Sequence, residues 1–172
     1  MILIERANEN NFQPIVNIGK VSVSEAHRGS CPPEDLADYI QKNYNEAAIL
    51  KELLDKNNAY HILYYNGEAV GFSKIILNAK QPNISFENAA KLDRIYFLKE
   101  FQGLKLGFEL LNYNVNFCKN HQQIAIWLYT WIGNEKAITF YQKTGFKIIG
   151  SHEFYVTTLT FNVNHQMLLK FT

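Results

Sequence analysis

The hydrophobic period of this chain changes across one turn, Gln102-Gly103-Leu104-Lys105-Leu106-Gly107, and that change constrains the fold more than any other feature. Before it, Leu92-Asp93-Arg94-Ile95-Tyr96-Phe97 is short and rich in β-branched and aromatic residues, which reads as a strand. After it, apolar residues recur at Leu104, Phe108, Leu111, Val115 and Cys118, the spacing of one face of a helix. The turn therefore joins a strand to a helix. Backbone N–H groups at a helix N-terminus have no partner within the helix and carry positive partial charge. Glycines placed there let a phosphate approach the bare backbone, so the turn reads as an anion cradle.

The rest of the chain supplies elements around this centre. Met1 to Arg6 reads as a first edge strand and lacks the apolar run and cleavage pattern of a signal peptide. Pro33 suits the first turn of a helix, with Glu34, Asp35 and Asp38 near its positive end and Leu36, Tyr39 and Ile40 available to a core. Asn45 caps a second helix that carries Ile49, Leu50, Leu53 and Leu54. Tyr60 to Tyr65 and Ala69 to Leu77 flank Asn66-Gly67, a dipeptide that tolerates the positive φ of a tight hairpin turn. Asn78 to Ala90 reads as a loop, and Phe146 to Val156 and Gln166 to Phe171 as two closing strands separated by a polar interruption. This order predicts a mixed α/β sheet with helices on both faces, and the 172 residues suit a single domain over positions 1–172.

A second stretch sharpens the chemistry. After the strand-like run Ile124 to Tyr129 comes Asn134-Glu135-Lys136-Ala137-Ile138-Thr139-Phe140-Tyr141-Gln142-Lys143-Thr144-Gly145-Phe146, a short helix that Asn134 can cap and Gly145 can end. Taken in order, Gln102-x-x-x-x-Gly107 and Asn134-x-x-Ala137-x-x-Phe140-Tyr141-x-x-x-Gly145-Phe146 resemble the signature of the GNAT family of N-acetyltransferases, which use acetyl-CoA. The family's first motif usually carries Gly where this chain has Lys105. Arg94-Ile95-Tyr96, Phe101-Gln102, Asn134-Glu135 and Gly150-Ser151-His152-x-Phe154-Tyr155 are most similar to the PaiA-type polyamine acetyltransferases.

The resemblance implies a GNAT fold, with a mostly antiparallel central sheet of about six to seven strands, and acetyl-CoA as cosubstrate. The carrier's pyrophosphate would rest on the backbone of Gln102, Gly103, Leu104, Lys105, Leu106, Gly107 and Phe108, with the Lys105 ammonium able to assist. The strand edge at Ile95, Tyr96 and Phe97 would hydrogen-bond the pantetheine arm as a pseudo-strand. Asn134 would contact the carrier or only cap its helix.

Acetyl transfer to an amine needs a neutral nucleophile, a stabilised oxyanion and a proton for the departing thiolate. An alkylammonium has a pKa near 10.4, so roughly one amine in a thousand is ready to attack at neutral pH. The resemblance offers Asp93, nine positions before Gln102, as the base, directly or through water. The other reading of Asp93 is an ion pair with Arg94 or another neighbour. Tyr141 is the family's usual position for the acid, and a phenol can protonate a thiolate without being ionised itself. A core tyrosine with no chemical role is the alternative. Asp35 and Asp38 could attract a polycation, and Tyr96, Trp127, Tyr129 and Trp131 could hold an amine by cation–π contact.

Several classes fall away. Seventeen basic residues against 16 acidic give a net charge of +1, no general reason to expect nucleic acid or an anionic membrane as partner. No stretch approaches the roughly 20 apolar residues of a membrane helix. Cys31 and Cys118 are far apart, which fits a reducing cytoplasm, and Cys118 falls on an apolar stripe as a core residue. His27, His61, His121, His152 and His165 form no metal-ligand spacing, so no metal is expected. The expectation is an acetyl-CoA-dependent N-acetyltransferase acting on a small primary amine, a polyamine such as spermidine or spermine by resemblance. Acetylation of a protein N-terminus or lysine and a non-catalytic acyl-CoA-binding sensor are the alternatives. A homodimer is open, as family members are often dimers.

Overall fold

The dipeptide Asn66-Gly67 uses its backbone freedom: both residues take positive φ, 51° and 88°, and turn β2 (Asn58–Tyr65) back onto β3 (Glu68–Ile76). The computed structural model describes residues 1–171 and builds a seven-stranded sheet on this hairpin. β1 (Ile2–Arg6) forms one edge beside β2. β4 (Ala89–Phe97), β5 (Ala125–Trp131), β7 (Phe161–Lys170) and β6 (Lys147–Tyr155) complete it in the order β1-β2-β3-β4-β5-β7-β6. All neighbours are antiparallel except β4 and β5.

Helices cover both faces, as the element order predicts. α1 (Gln13–Ala26), α2 (Pro33–Asn43) and α3 (Glu46–Leu53) pack Ile15, Val16, Ile18, Leu36, Ile40 and Ile49 against Tyr60, Ile62 and Phe72. α4 (Leu106–Asn120) and α5 (Glu135–Lys143) bury Leu111, Cys118 and Tyr141 against Ala90, Leu92, Ile126 and Met167 on the opposite face. α2 starts at Pro33 and α3 is capped by Asn45, whose Oδ1 accepts the Ala48 N–H at 2.9 Å.

α1 is the element the sequence conceals. It has no side-chain cap and no acidic first turn, and it carries Val16, Gly19, Val21 and Val23 in its interior, all weak helix formers. Burial holds it: Ile15, Val16, Ile18 and Val23 are packed away, each worth about 1.5–3 kcal/mol. Gly19 lets the Tyr44 ring lie directly on the helix, where a Cβ would overlap the ring.

β7 begins earlier than its polarity suggests, at Phe161, and takes in most of the expected polar interruption. The strand has the expected alternation in an inverted sense. Asn162 and Asn164 are 7% and 6% exposed, whereas Phe161 and Val163 are 44% and 39% exposed. A reading that sends polar residues outward misses such a strand.

One irregularity positions the site. β4 and β5 pair only over Ala89 to Lys91 against Ala125 to Trp127. Beyond that no ladder joins them, so the two strands diverge and the downstream edge of β4 faces an opening.

Candidate active site

The loop from β4 to α4 exposes backbone donors. A 3-10 turn at Lys99–Phe101 ends where the Gln102 N–H donates to Lys99 O at 3.1 Å. Gly103 and Lys105 then take positive φ, 87° and 61°, and α4 starts at Leu106. The next amides to find acceptors are those of Phe108 and Glu109, which both reach Lys105 O. Among the described residues, the five N–H groups from Gly103 to Gly107 have no acceptor. They open onto the positive end of a 15-residue helix, an array suited to a phosphate. A Cβ at Gly103 would meet nothing within 4 Å, so the approach is clear.

Side chains frame this array. Lys105 stands in the left-handed conformation at the N-cap position, where L residues are strained. Lys136 from α5 donates to Gln102 Oε1 at 2.9 Å and adds a cation the sequence analysis does not single out. Asn134 caps α5 through the Ala137 N–H at 3.1 Å. Leu104 and Phe108, expected on the buried stripe, are 48% and 45% exposed; the buried face of α4 is Leu106, Leu110, Leu111, Asn114 and Cys118. Leu104 lies before the helix, which starts at Leu106, and Phe108 falls about 200° around it from Leu106, away from the buried face.

On the other face of β4, a bulge gathers charge. Lys74 pairs with Arg94 and Ile75 with Leu92, leaving Asp93 as the extra residue. A bulge breaks the alternation of faces, so Asp93 and Arg94 both join the polar cluster while Leu92 and Ile95 pack toward α4. Arg94 holds both Glu52 carboxylate oxygens at 3.1 and 3.2 Å and also donates to the Tyr60 hydroxyl. Lys74 bridges Glu52 at 2.9 Å and Asp93 at 3.1 Å, and Lys91 meets Asp93 at 2.7 Å. Lys74, Lys91 and Arg94 face only Glu52 and Asp93, so the cluster carries one positive charge in excess. Burial alone would raise the Asp93 carboxyl; Lys91, Lys74 and Arg94 override it and hold it well below the usual carboxylate range.

Above this cluster lies a cavity lined by His27 and Ser30 after α1, Tyr39 and Tyr44 from α2 and its end, Lys91, Asp93, Arg94 and Tyr96 of β4, Tyr129 of β5, and Phe154, Asn162 and Asn164 of the last two strands. Oδ1 of Asn162 and of Asn164 has no hydrogen-bond partner. Lys91 lies 5.3 Å from the Tyr129 ring centroid, and His152 stacks on Tyr129 at 4.1 Å. His27 Nε2 lies 3.0 Å from the Tyr96 hydroxyl, and burial lowers the His27 pKa. Tyr96 is raised by burial first, and its neighbours Tyr39 and Tyr141 push the same way. The Tyr141 phenol packs on the α4 side of the sheet. Tyr141 is 8% exposed, and burial pushes its pKa up.

A model of the acetyltransferase (GNAT) family matches residues 21–146, which take in the donor array, β4, β5 and α5. The chain belongs to the GNAT family. It is therefore an acetyltransferase, and the donor array at the head of α4 is suited to a phosphate-bearing acetyl donor. An uncharacterized N-acetyltransferase of Lactobacillus delbrueckii subsp. lactis is 25% identical over 89% of this chain and 88% of its own length. A spermidine N(1)-acetyltransferase of Thermoplasma acidophilum is 23% identical over 86% of this chain and 89% of its own. The crystal structure of the PaiA N-acetyltransferase from Thermoplasma acidophilum, in complex with coenzyme A, superposes with a TM-score of 0.80 at 20% identity, covering 99% of both chains. The two chains therefore share one fold over nearly their whole lengths.

Within this GNAT chain, the structure brings Asp93, Tyr96 and Tyr129 to one cavity and keeps Gln102 to Phe108 together at the head of α4. Asp35 and Asp38 do not line the cavity; Asp35 instead accepts a hydrogen bond from Thr160 Oγ1 at 2.6 Å, tying α2 to the β6–β7 hairpin. Trp127 and Trp131 are likewise absent from its lining. Sequence reasoning missed Glu52, Lys74, His27, Asn162 and Asn164, which come from four separate segments and show no spacing that links them. The inverted polarity of Asn162 and Asn164 is the one signal that could have exposed a pair. Among the described residues no group of three His, Cys, Asp or Glu side chains could hold a metal, and no helix is long and apolar enough to cross a membrane.

Proposed function

We propose that this chain, acting as one domain over residues 1–172, transfers the acetyl group of acetyl-CoA to the primary amine of a small molecule. The observation that carries the proposal is the run of five unpartnered N–H groups from Gly103 to Gly107, with an aromatic and amide-lined cavity opening where β4 and β5 part. Gln102, Gly103, Leu104, Lys105, Leu106, Gly107 and Phe108 would hold the pyrophosphate, with Lys136 beside them, and the free edge at Ile95, Tyr96 and Phe97 the amide-bearing arm. Asn134, occupied in capping α5, supports the array by fixing the helix that carries Lys136 and Tyr141. Acetyl-CoA supplies an activated thioester at the opening.

In this reading Tyr141 protonates the departing sulfur. Its burial raises the phenol above its ordinary range, and a thiolate in the same dry setting gains proton affinity too. The buried Cys118 thiol is raised for the same reason. Asp93, offered as the base, is engaged by three cations and binds a proton weakly, which favours a role in anchoring Lys91 and Lys74 and orienting water. Unpartnered amides of Asn162 and Asn164 offer the acceptor neutral hydrogen-bonding groups. Unlike a carboxylate, a neutral amide does not strongly stabilise an ammonium in its charged form.

The named activity of the Thermoplasma relative supports a polyamine acceptor. The positive excess on the cavity floor supports a second reading, a peptide N-terminus, whose amine has a pKa of about 7.7–8.0 and sheds its proton more readily. Steady-state CoA release should be measured with spermidine, spermine, diamines, amino acids and peptides with free N-termini. The proposal expects the highest kcat/KM with a polyamine. A peptide N-terminus ranking first would replace it with the second reading, and no turnover on any amine would overturn both.

A further inference from the structure

His27 stands out among the five histidines because it lines the cavity and touches another cavity side chain. It closes α1, where its own N–H bonds Val23 O at 3.1 Å, and it presents Nε2 to the Tyr96 hydroxyl at 3.0 Å. For the phenol to donate in this contact, Nε2 must be the bare nitrogen and Nδ1 the protonated one. We propose that His27, through the Tyr96 hydroxyl, receives the proton that the acceptor amine sheds as it attacks the thioester. The inference rests on the acetyltransferase reading given above and supplies the base that reading lacks.

The step balances with groups already named. A neutral amine forms the C–N bond; its nitrogen becomes positively charged and acidic, so a weak base suffices. One N–H proton passes to the Tyr96 oxygen as the Tyr96 proton passes to His27 Nε2. The C–S bond breaks, and the sulfur takes the Tyr141 proton. This leaves an imidazolium at His27 and a phenolate at Tyr141, and one proton lost from His27 and one regained by Tyr141 restore both.

Geometry separates His27 from the nearest competitor. Asp93 lines the same cavity but is engaged by Lys74, Lys91 and Arg94, whereas His27 makes no ion pair. The titratable and charged groups around the cavity are Tyr39 and Tyr44 from α2 and its end, Lys91, Asp93 and Arg94 beside Tyr96 on β4, and Tyr129 on β5. The phenols stay neutral across the working range because burial raises each of them. Burial lowers His27, so it is neutral and able to accept at pH 7, and that ability is lost as pH falls through a value below 6.5.

The test is the pH profile of kcat at saturating acetyl-CoA and amine for the wild type, His27→Gln and Tyr96→Phe. Gln can still accept from the Tyr96 hydroxyl, so a merely structural role would survive it. The expected result is an acid limb below pH 6.5 in the wild type. Both variants should lose that limb, with kcat about 100-fold lower at pH 7 and the acetyl-CoA KM unchanged. A His27→Gln enzyme that keeps the limb, or keeps kcat within about twofold of wild type, overturns the proposal. Nitrogen NMR of the His27 ring needs no acceptor and so separates this inference from the acetyltransferase reading. A ring protonated on Nδ1 alone at pH 7 supports the pair, whereas a proton on Nε2 overturns it even if no amine is acetylated.

Discussion

The two halves of the site are made of different material. The donor array at the head of α4 is backbone: five consecutive N–H groups, contiguous in sequence and fixed by two positive-φ residues and a helix start. The cavity is side chains, drawn from the segment after α1, from α2 and its end, and from four strands, above ion pairs gathered around one bulge. A backbone array can serve a ligand common to many relatives while its side chains vary. A cavity assembled from scattered side chains is free to change with each acceptor.

The contrast breaks most sharply at Tyr141. Tyr141→Phe should lower kcat by about 10²- to 10⁴-fold with the acetyl-CoA dissociation constant unchanged, by steady-state kinetics and calorimetry. Unchanged turnover would return Tyr141 to the core. Next comes Asp93→Asn, which leaves Lys91 without a carboxylate and Lys74 with Glu52 alone, and should destabilise the protein by about 3 kcal/mol at pH 7 in urea unfolding. The sign follows from the lowered pKa: the Asp93 contribution is complete above the unfolded value near 3.8 and fades as pH falls through the folded one. Wild type and variant should therefore converge below pH 4. A constant gap between them would point to packing in place of charge.

Smaller effects belong to the donor array, since its side chains matter less there. Lys136→Ala should weaken acetyl-CoA binding by a few-fold, and the difference should shrink at high salt. Lys105→Gly removes a cation and relieves left-handed strain. Relief of about 1–2 kcal/mol against about 0.4–1 kcal/mol of added unfolded-state entropy predicts a slightly more stable protein. Its acetyl-CoA affinity should stay within about threefold if the backbone does the binding. A tenfold loss would move the weight from the backbone to the Lys105 ammonium.

The same contrast explains what could be read from the chain. The array was legible because it is local: a change of period, two glycines and a capped second helix sit within a few dozen residues. The hairpin at Asn66-Gly67 was legible for the same reason. The cavity was not, because the partners Glu52 and Arg94, or His27 and Tyr96, are far apart in sequence and meet only through packing. α1 stayed hidden because tertiary burial, not propensity, makes it helical, and β7 because its polar face is the buried one. Asp93 shows the limit at one residue. Its identity and strand position were plain, but the bulge that turns it toward Lys74 and Lys91 was not.

The central claim is that an amine receives the acetyl group in the opening between β4 and β5. It is tested most directly by incubating the protein with acetyl-CoA labelled in its acetyl carbons and the amine panel, then following the label by mass spectrometry. The account predicts label on an amine nitrogen, with one CoA released for each acetyl transferred. Label that stays on CoA, or leaves only as free acetate, would contradict it.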